Sequence, residues 1–219
     1  MKKNYCKIVL LLFFLSTFPL TAFAGSYTIY ISEGGWVDSG QPDTIVSIPN
    51  PGLYVFNFGG VEHISYLKFD LSSINDKEFI TSLKLYSRMG SLSQYDFPFY
   101  VDIYHVSEDD WQENTLTWNN QPGFKKLLGT GLFIDPSPFT VWDLSGYNYK
   151  PDTNDNILSL AMVIPDNPPI RTGVAFSSYW DYLEVESARP PVPEPSTMLL
   201  LGSGLIGLAG YGRKKFCKK

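Results

Sequence analysis

The chain has 219 residues, 44% of them hydrophobic and 16% aromatic, with a formal net charge of −5 and two cysteines. Cys6 and Cys217 stand at opposite ends, which excludes a disulfide framework for whatever lies between them. The length allows one packed core with short extensions.

Lys2, Lys3 and Lys7 bracket the start of an apolar run from Ile8 to Leu20, and the small residues Ala22 and Ala24 follow it. This pattern predicts a secretory signal peptide over 1–24, cut after Ala24. The run falls short of the roughly 20 residues that a spanning helix needs. Cys6 precedes the run, so it is misplaced for lipidation.

Residues 25–188 read as short alternating runs separated by Gly, Pro, Asn and Asp. The predicted strands are "YTIYIS", "DTIVSI", "LYVFNF", "HISYLKFDL", "TSLKLYSR", "FYVDIYHV", "FTVWDL", "ILSLAMVI" and "GVAFSS". A further strand through Leu183 and Val185 closes the domain, and no segment carries a helical period. The fold class is therefore all-β, an antiparallel β-sandwich of about nine strands with a jelly-roll-like arrangement. Between Gly25 and Val192, nine lysines and arginines face twenty-one aspartates and glutamates, a balance of −12 that the basic ends conceal. An acidic exported domain is repelled by phosphate backbones, which excludes nucleic acid and leaves neutral glycans, cations or proteins as partners.

Behind the domain comes a proline-rich linker over 189–197, then an apolar segment over 198–212 and a basic tail over 213–219. The order predicts a short transmembrane helix whose basic end stays cytoplasmic, although about 15 apolar residues make a thin span.

The succession Pro193-Glu194-Pro195, apolar helix and basic cluster resembles the PEP-CTERM sorting signal of exopolysaccharide-producing Gram-negative bacteria. The resemblance implies an exosortase as processing partner, with Pro193, Glu194 and Pro195 as the processing site. It also implies a membrane-anchored precursor with a transient C-terminal helix, and a mature form at the cell surface or in the extracellular matrix.

A second resemblance rests on Phe69-Asp70-Leu71-Ser72-Ser73-Ile74, then Trp111-x-Glu113, then Thr117-Trp118-Asn119-Asn120 with Pro122. In this order and spacing they are similar to the DNRLRE domain, a carbohydrate-binding-module-like β-sandwich family of secreted proteins, over about residues 43 to 187. The resemblance implies the same sandwich and a polysaccharide, here exopolysaccharide, as partner. The chain departs from the family where "FSSYWDYLEVE" places Tyr179 and Trp180 at a position usually held by Glu.

The matched residues read as structural. Phe69, Leu71 and Ile74 seal the sandwich, Asp70 satisfies a turn, and Trp118 plugs one end of the core beside Asn119. Trp111 and Glu113 pin a long loop, the Glu113 carboxylate accepting backbone N–H groups. Sugar rings stack on exposed aromatics, which makes Trp180, Tyr179, Trp36 and Tyr95 the ligand candidates, with Tyr147 and Tyr149 beside them. No cofactor is required. Calcium takes oxygen ligands, and Asp43 and Asp181 are the candidates for a structural ion. His63 and His105 lie inside strands, and no nucleophile elbow or zinc spacing occurs, so catalysis is not expected. A binding module for polysaccharide is the preferred function; a structural matrix protein that binds proteins or itself is the alternative, ahead of a polysaccharide-degrading enzyme.

Overall fold

The computed structural model describes residues 24–46, 52–74, 79–88, 98–134, 139–149, 152–165, 172–177, 181–189 and 195–216. It divides into a β unit, Ala24–Ala188, and a unit formed by the two chain ends.

The β unit contains β1 (Ala24–Asp38), β2 (Gly52–Phe58), β3 (Val61–Asp70), β4 (Phe79–Ser87), β5 (Phe99–Val106), β6 (Phe124–Phe133) and β7 (Thr140–Asp143). A four-residue helix, α1 (Asp152–Asp155), precedes β8 (Ile157–Val163), β9 (Thr172–Ser177) and β10 (Tyr182–Ala188). Eight strands follow one another in space as β6-β5-β8-β3-β1-β10-β4-β7, and β2 pairs with β3 and β9.

The long β1 joins two sheets. Its first half pairs antiparallel with β10, as Tyr27↔Val185 and Tyr30↔Tyr182. Its second half pairs with β3, as Ile31↔Phe69 and Asp38↔His63, after an irregularity between Ile31 and Glu33. A bulge of this kind bends a strand and lets it turn from one layer to the other. The first sheet is therefore β1-β10-β4-β7 and the second is β6-β5-β8-β3-β1, with β2 and β9 joined to it through β3.

Period-two alternation explains the first sheet. Leu83, Leu85, Leu183 and Val185 point inward and are fully buried, while Lys84, Tyr86, Tyr182 and Glu184 alternate outward. Each fully buried apolar side chain contributes roughly 1.5–3 kcal/mol relative to exposure. Trp142 on β7 is among the largest buried side chains, and its Nε1–H donates to the Val101 carbonyl at 3.0 Å. The second sheet alternates less, because β3 and β8 are buried on both faces. Leu67, Phe69, Leu158 and Leu160 enter the main core; Ile64, Tyr66, Ala161 and Val163 face a second cluster with Trp111 and Leu116. The segment 107–123 covers that outer face.

The structure corrects the strand prediction in two places. The described part of "DTIVSI" is not a strand: Asp43 lies in a turn, and Pro42 and Asp43 accept hydrogen bonds from Asn119 instead of joining a ladder. The unpredicted strand is β6, "FKKLLGTGLF", where two lysines and two glycines hide the alternation. Gly131 is a packing requirement, since a Cβ there would stand 2.5 Å from Trp142 Nε1.

In the second unit, α2 runs from Pro195 to Phe216. It is longer than the predicted 198–212 segment, yet among the described residues no helix is long and apolar enough to cross a membrane. Gly202, Gly204, Gly207 and Gly210 dilute the apolar stretch, and Arg213, Lys214 and Lys215 end it. The apolar segment predicted over 198–212 lies within this glycine-rich helix.

Candidate functional site

The outer face of the first sheet carries an aligned aromatic row. Tyr30 on β1 lies opposite Tyr182 on β10, Tyr182 lies opposite Tyr86 on β4, and Tyr86 lies opposite Val141 on β7. The Tyr86 and Tyr182 rings stack nearly parallel with centroids 4.9 Å apart; Tyr30 and Tyr182 are tilted at 6.0 Å. Tyr30 is 62% exposed and Val141 44%. These apolar surfaces sit on a regular strand face rather than on a loop.

Two residues along each strand lies a polar row, Thr28↔Glu184↔Lys84↔Asp143. The Glu184 carboxylate hydrogen-bonds the Tyr86 hydroxyl and raises its pKa. The Ser145 hydroxyl first, and then the Ser145 N–H that donates at 3.0 Å, hold the Asp143 carboxyl below the usual range. The face thus pairs ring surfaces, which suit the C–H faces of sugars, with carboxylates that accept from hydroxyl groups.

Ser32, two residues beyond Tyr30 on β1, opens a cavity of about 330 Å³ lined by Ser32, Glu33, Gln112, Glu113 and Asn114. Its far wall is held by a charge network. Glu33 Oε1 accepts the Glu113 N–H at 2.8 Å, and Glu33 Oε2 pairs with Lys68 Nζ at 2.9 Å. Lys68 Nζ also donates to the Trp111 carbonyl at 2.5 Å and lies 4.4 Å from the centre of the Trp111 ring. The loop-pinning carboxylate is therefore that of Glu33; Glu113 supplies its backbone N–H and is itself exposed. A smaller cavity of about 200 Å³ on the same segment is lined by Glu108, Asp110, Trp111, Thr115, Leu116, Asn120 and Pro122.

The other predicted structural residues are placed as follows. Phe69 lies in the main core. Asp70 is exposed, and its Oδ1 accepts the Ser72 N–H at 2.8 Å, closing the turn after β3. Trp111 is buried in the second cluster, its Nε1 donating to Ser159 Oγ at 3.3 Å. Trp118 packs half-buried against that cluster instead of plugging the main core. Asn119 donates from Nδ2 to Asp43 Oδ1 at 2.7 Å.

Of the predicted stacking residues, Trp36 is half-buried, with His63 at 4.9 Å and Tyr54 at 5.6 Å between ring centroids. Its ring meets Tyr54 edge-on and His63 at a tilt. Tyr149 is buried and donates to the Leu144 carbonyl, and Tyr147 packs on Tyr149 and His105. Tyr95, Tyr179, Trp180, Ala22, Pro193 and Glu194 lie outside the described residues; Ala24 opens β1 and Pro195 opens α2.

The calcium candidates do not converge. Asp43 is exposed and bonded to Asn119, whereas Asp181 is fully buried, its Oδ1 accepting from Ser87 Oγ at 2.6 Å and the Arg88 N–H at 3.0 Å. Burial raises the Asp181 pKa to about 7. Among the described residues, no group of three or more His, Cys, Asp or Glu side chains is placed to hold a metal ion. Both histidines are committed to buried aspartates: His63 Nε2 lies 3.3 Å from Asp38 and His105 Nε2 lies 2.8 Å from Asp152.

A two-layer antiparallel sandwich with an aromatic strip on one sheet is an arrangement compatible with a β-sandwich carbohydrate-binding module. Residues 27–178 match the model of Carbohydrate-binding module family 96, and the chain belongs to that family. The match carries the carbohydrate-binding part of the DNRLRE resemblance, but not that family name. Residues 191–214 match the PEP-CTERM protein-sorting motif. No curated protein matches the chain.

The members of the tyrosine row are 56 and 96 residues apart in the sequence, and only register aligns them. Its signal was nevertheless present: Tyr30, Tyr86 and Tyr182 each occupy the polar parity of an alternating strand.

Proposed function

We propose that this protein is an exported, non-catalytic polysaccharide-binding module, sorted by an exosortase that acts at Pro193-Glu194-Pro195 and displayed at the surface or in the matrix of a Gram-negative bacterium. The observation that carries the binding role is the alignment of Tyr30, Tyr182 and Tyr86 across three neighbouring strands. Family membership and the sorting motif support the same reading. An exopolysaccharide of the producing cell is the natural partner for a domain carrying that motif. The test is co-sedimentation of the purified protein with that exopolysaccharide: retention of the wild type and loss on Tyr30→Ala supports the reading, and equal retention of both refutes it.

The structural-protein alternative has one observation of its own. On the outer face of the second sheet, the cross-strand pair Tyr100 and Leu132 is 53% and 46% exposed, with Ile134 at 67%. A patch of this kind suits self-association. Concentration-dependent oligomers dispersed by Leu132→Glu, in a protein that retains no polysaccharide, would favour that alternative.

A further inference from the structure

We propose that Glu33 and Lys68 condense to an intramolecular amide, a covalent cross-link between β1 and β3 that the folded chain forms by itself. The cross-link is independent of what the outer faces of the sandwich bind. No cysteine lies between Cys6 and Cys217, so the β unit can hold no disulfide, and a bond between positions 33 and 68 restrains the unfolded chain as a disulfide would.

Register places the two side chains. Glu33 and Lys68 stand directly opposite one another on the antiparallel pair β1 and β3. Opposite Cβ atoms in such a pair are about 4.5–5.5 Å apart, so the two stems meet without displacing either backbone. Lys68 Nζ lies 2.9 Å from Glu33 Oε2, and the side chains are 11% and 25% exposed. The Trp111 ring, itself buried, covers the ammonium with its centre 4.4 Å away and keeps bulk water from that side. Two reactants held in contact by the fold react as one molecule, without the entropy cost of an encounter.

The step balances without a co-reactant. The ammonium passes one proton to the carboxylate, giving an amine and a carboxylic acid, a neutral pair that burial favours over two charges. The Nζ lone pair then attacks the carboxyl carbon of Glu33. Negative charge collects on Oε1, where the Glu113 N–H already donates at 2.8 Å and serves as an oxyanion donor. Oε2 takes a second proton from the nitrogen and leaves as water into the groove of about 330 Å³ that Glu33 lines. The product is a neutral amide with both polar groups satisfied. Its remaining N–H keeps the Trp111 carbonyl, which accepts from Nζ at 2.5 Å, and its carbonyl oxygen keeps the Glu113 N–H. The desolvation cost of the ion pair is removed, while the hydrogen bonds that pin the segment 107–123 remain.

Trypsin reads the link directly, because it cuts after lysine but not after an acylated lysine. Between Gly25 and Lys68 the sequence has no other lysine or arginine, and Lys77 is the next. The test is mass spectrometry of the full exported chain, incubated folded at neutral pH, then denatured and digested with trypsin. The expected product is a peptide that runs through Lys68 to Lys77, lighter than its sequence by one water, with no fragment ions from the loop between positions 33 and 68. Lys68→Arg, which keeps the cation but cannot be acylated, should be cut after position 68 and keep its full mass. A wild-type peptide that ends at Lys68 with its full mass overturns the proposal. Loss of water from a peptide still cut after Lys68, or the same loss in Lys68→Arg, places the dehydration at another residue and overturns it as well.

Discussion

Asp181→Asn should change how stability depends on pH. Asp181 is fully buried, and desolvation lifts its carboxyl from an ordinary 3.8 to about 7, partly offset by the bonds from Ser87 and Arg88. Among the described residues, its Oδ2 has no hydrogen-bond partner. Because the folded value is the raised one, the native state holds a proton that the unfolded chain releases between about pH 4 and 7. The group's contribution is therefore complete below pH 4, falls as pH rises and levels off above 7. Three pH units correspond to a loss on the order of 4 kcal/mol, large against the roughly 5–15 kcal/mol of a typical domain. Asparagine keeps an oxygen for Ser87 and Arg88 and carries no charge. Urea unfolding from pH 4 to 8 should give near-equal stabilities at pH 4 and a variant more stable by a few kcal/mol at pH 8. Asp70, Asp143 and His63 are shifted in the opposite direction, and their contributions cancel in the difference between the two proteins. Parallel curves for variant and wild type, or a variant less stable at pH 8, would refute the reasoning.

Trp142→Ala should destabilise the domain by about 3 to 5 kcal/mol; the half-buried Trp118→Ala should cost clearly less in the same thermal melt, and the reverse order would contradict the placement of the two rings. Gly131→Ala should cost about 1 to 3 kcal/mol by driving a methyl group into Trp142, measurable as a lowered urea midpoint. Changing Pro193, Glu194 and Pro195 together to Ala should leave export intact and accumulate an unprocessed chain on an immunoblot, whereas normal processing of that variant would remove the exosortase from the account.

The parts of the fold legible in the sequence were those governed by local alternation. Strands β4 and β10 each bury apolar residues of one parity and leave the other half-buried or exposed, so their pattern is visible in a short window. Where a neighbour decides the residue, the pattern disappears. Gly131 of β6 answers to Trp142, and β3 is buried on both faces because a distant loop returns to cover it. The loop itself was recognised through Trp111, but its anchor, Glu33, lies 80 positions away from the N–H it accepts. The stacking residues were sought in turns, where exposed rings are common. The row lies instead on strands, assembled from β1, β4 and β10 by a pairing that no single segment encodes.

The most direct measurement is calorimetric titration of the producing cell's polysaccharide into wild type and into Tyr30→Ala, Tyr182→Ala and Tyr86→Ala, with the exposed but remote Tyr100→Ala as control. Each row variant should remain folded by circular dichroism, and at least Tyr30→Ala should lose about thirtyfold in affinity, the scale of a stacking anchor worth about 2 kcal/mol. Tyr100→Ala should bind as wild type does. Full affinity in all three row variants, or a loss confined to Tyr100→Ala, would contradict the assignment of the first sheet as the glycan-binding face.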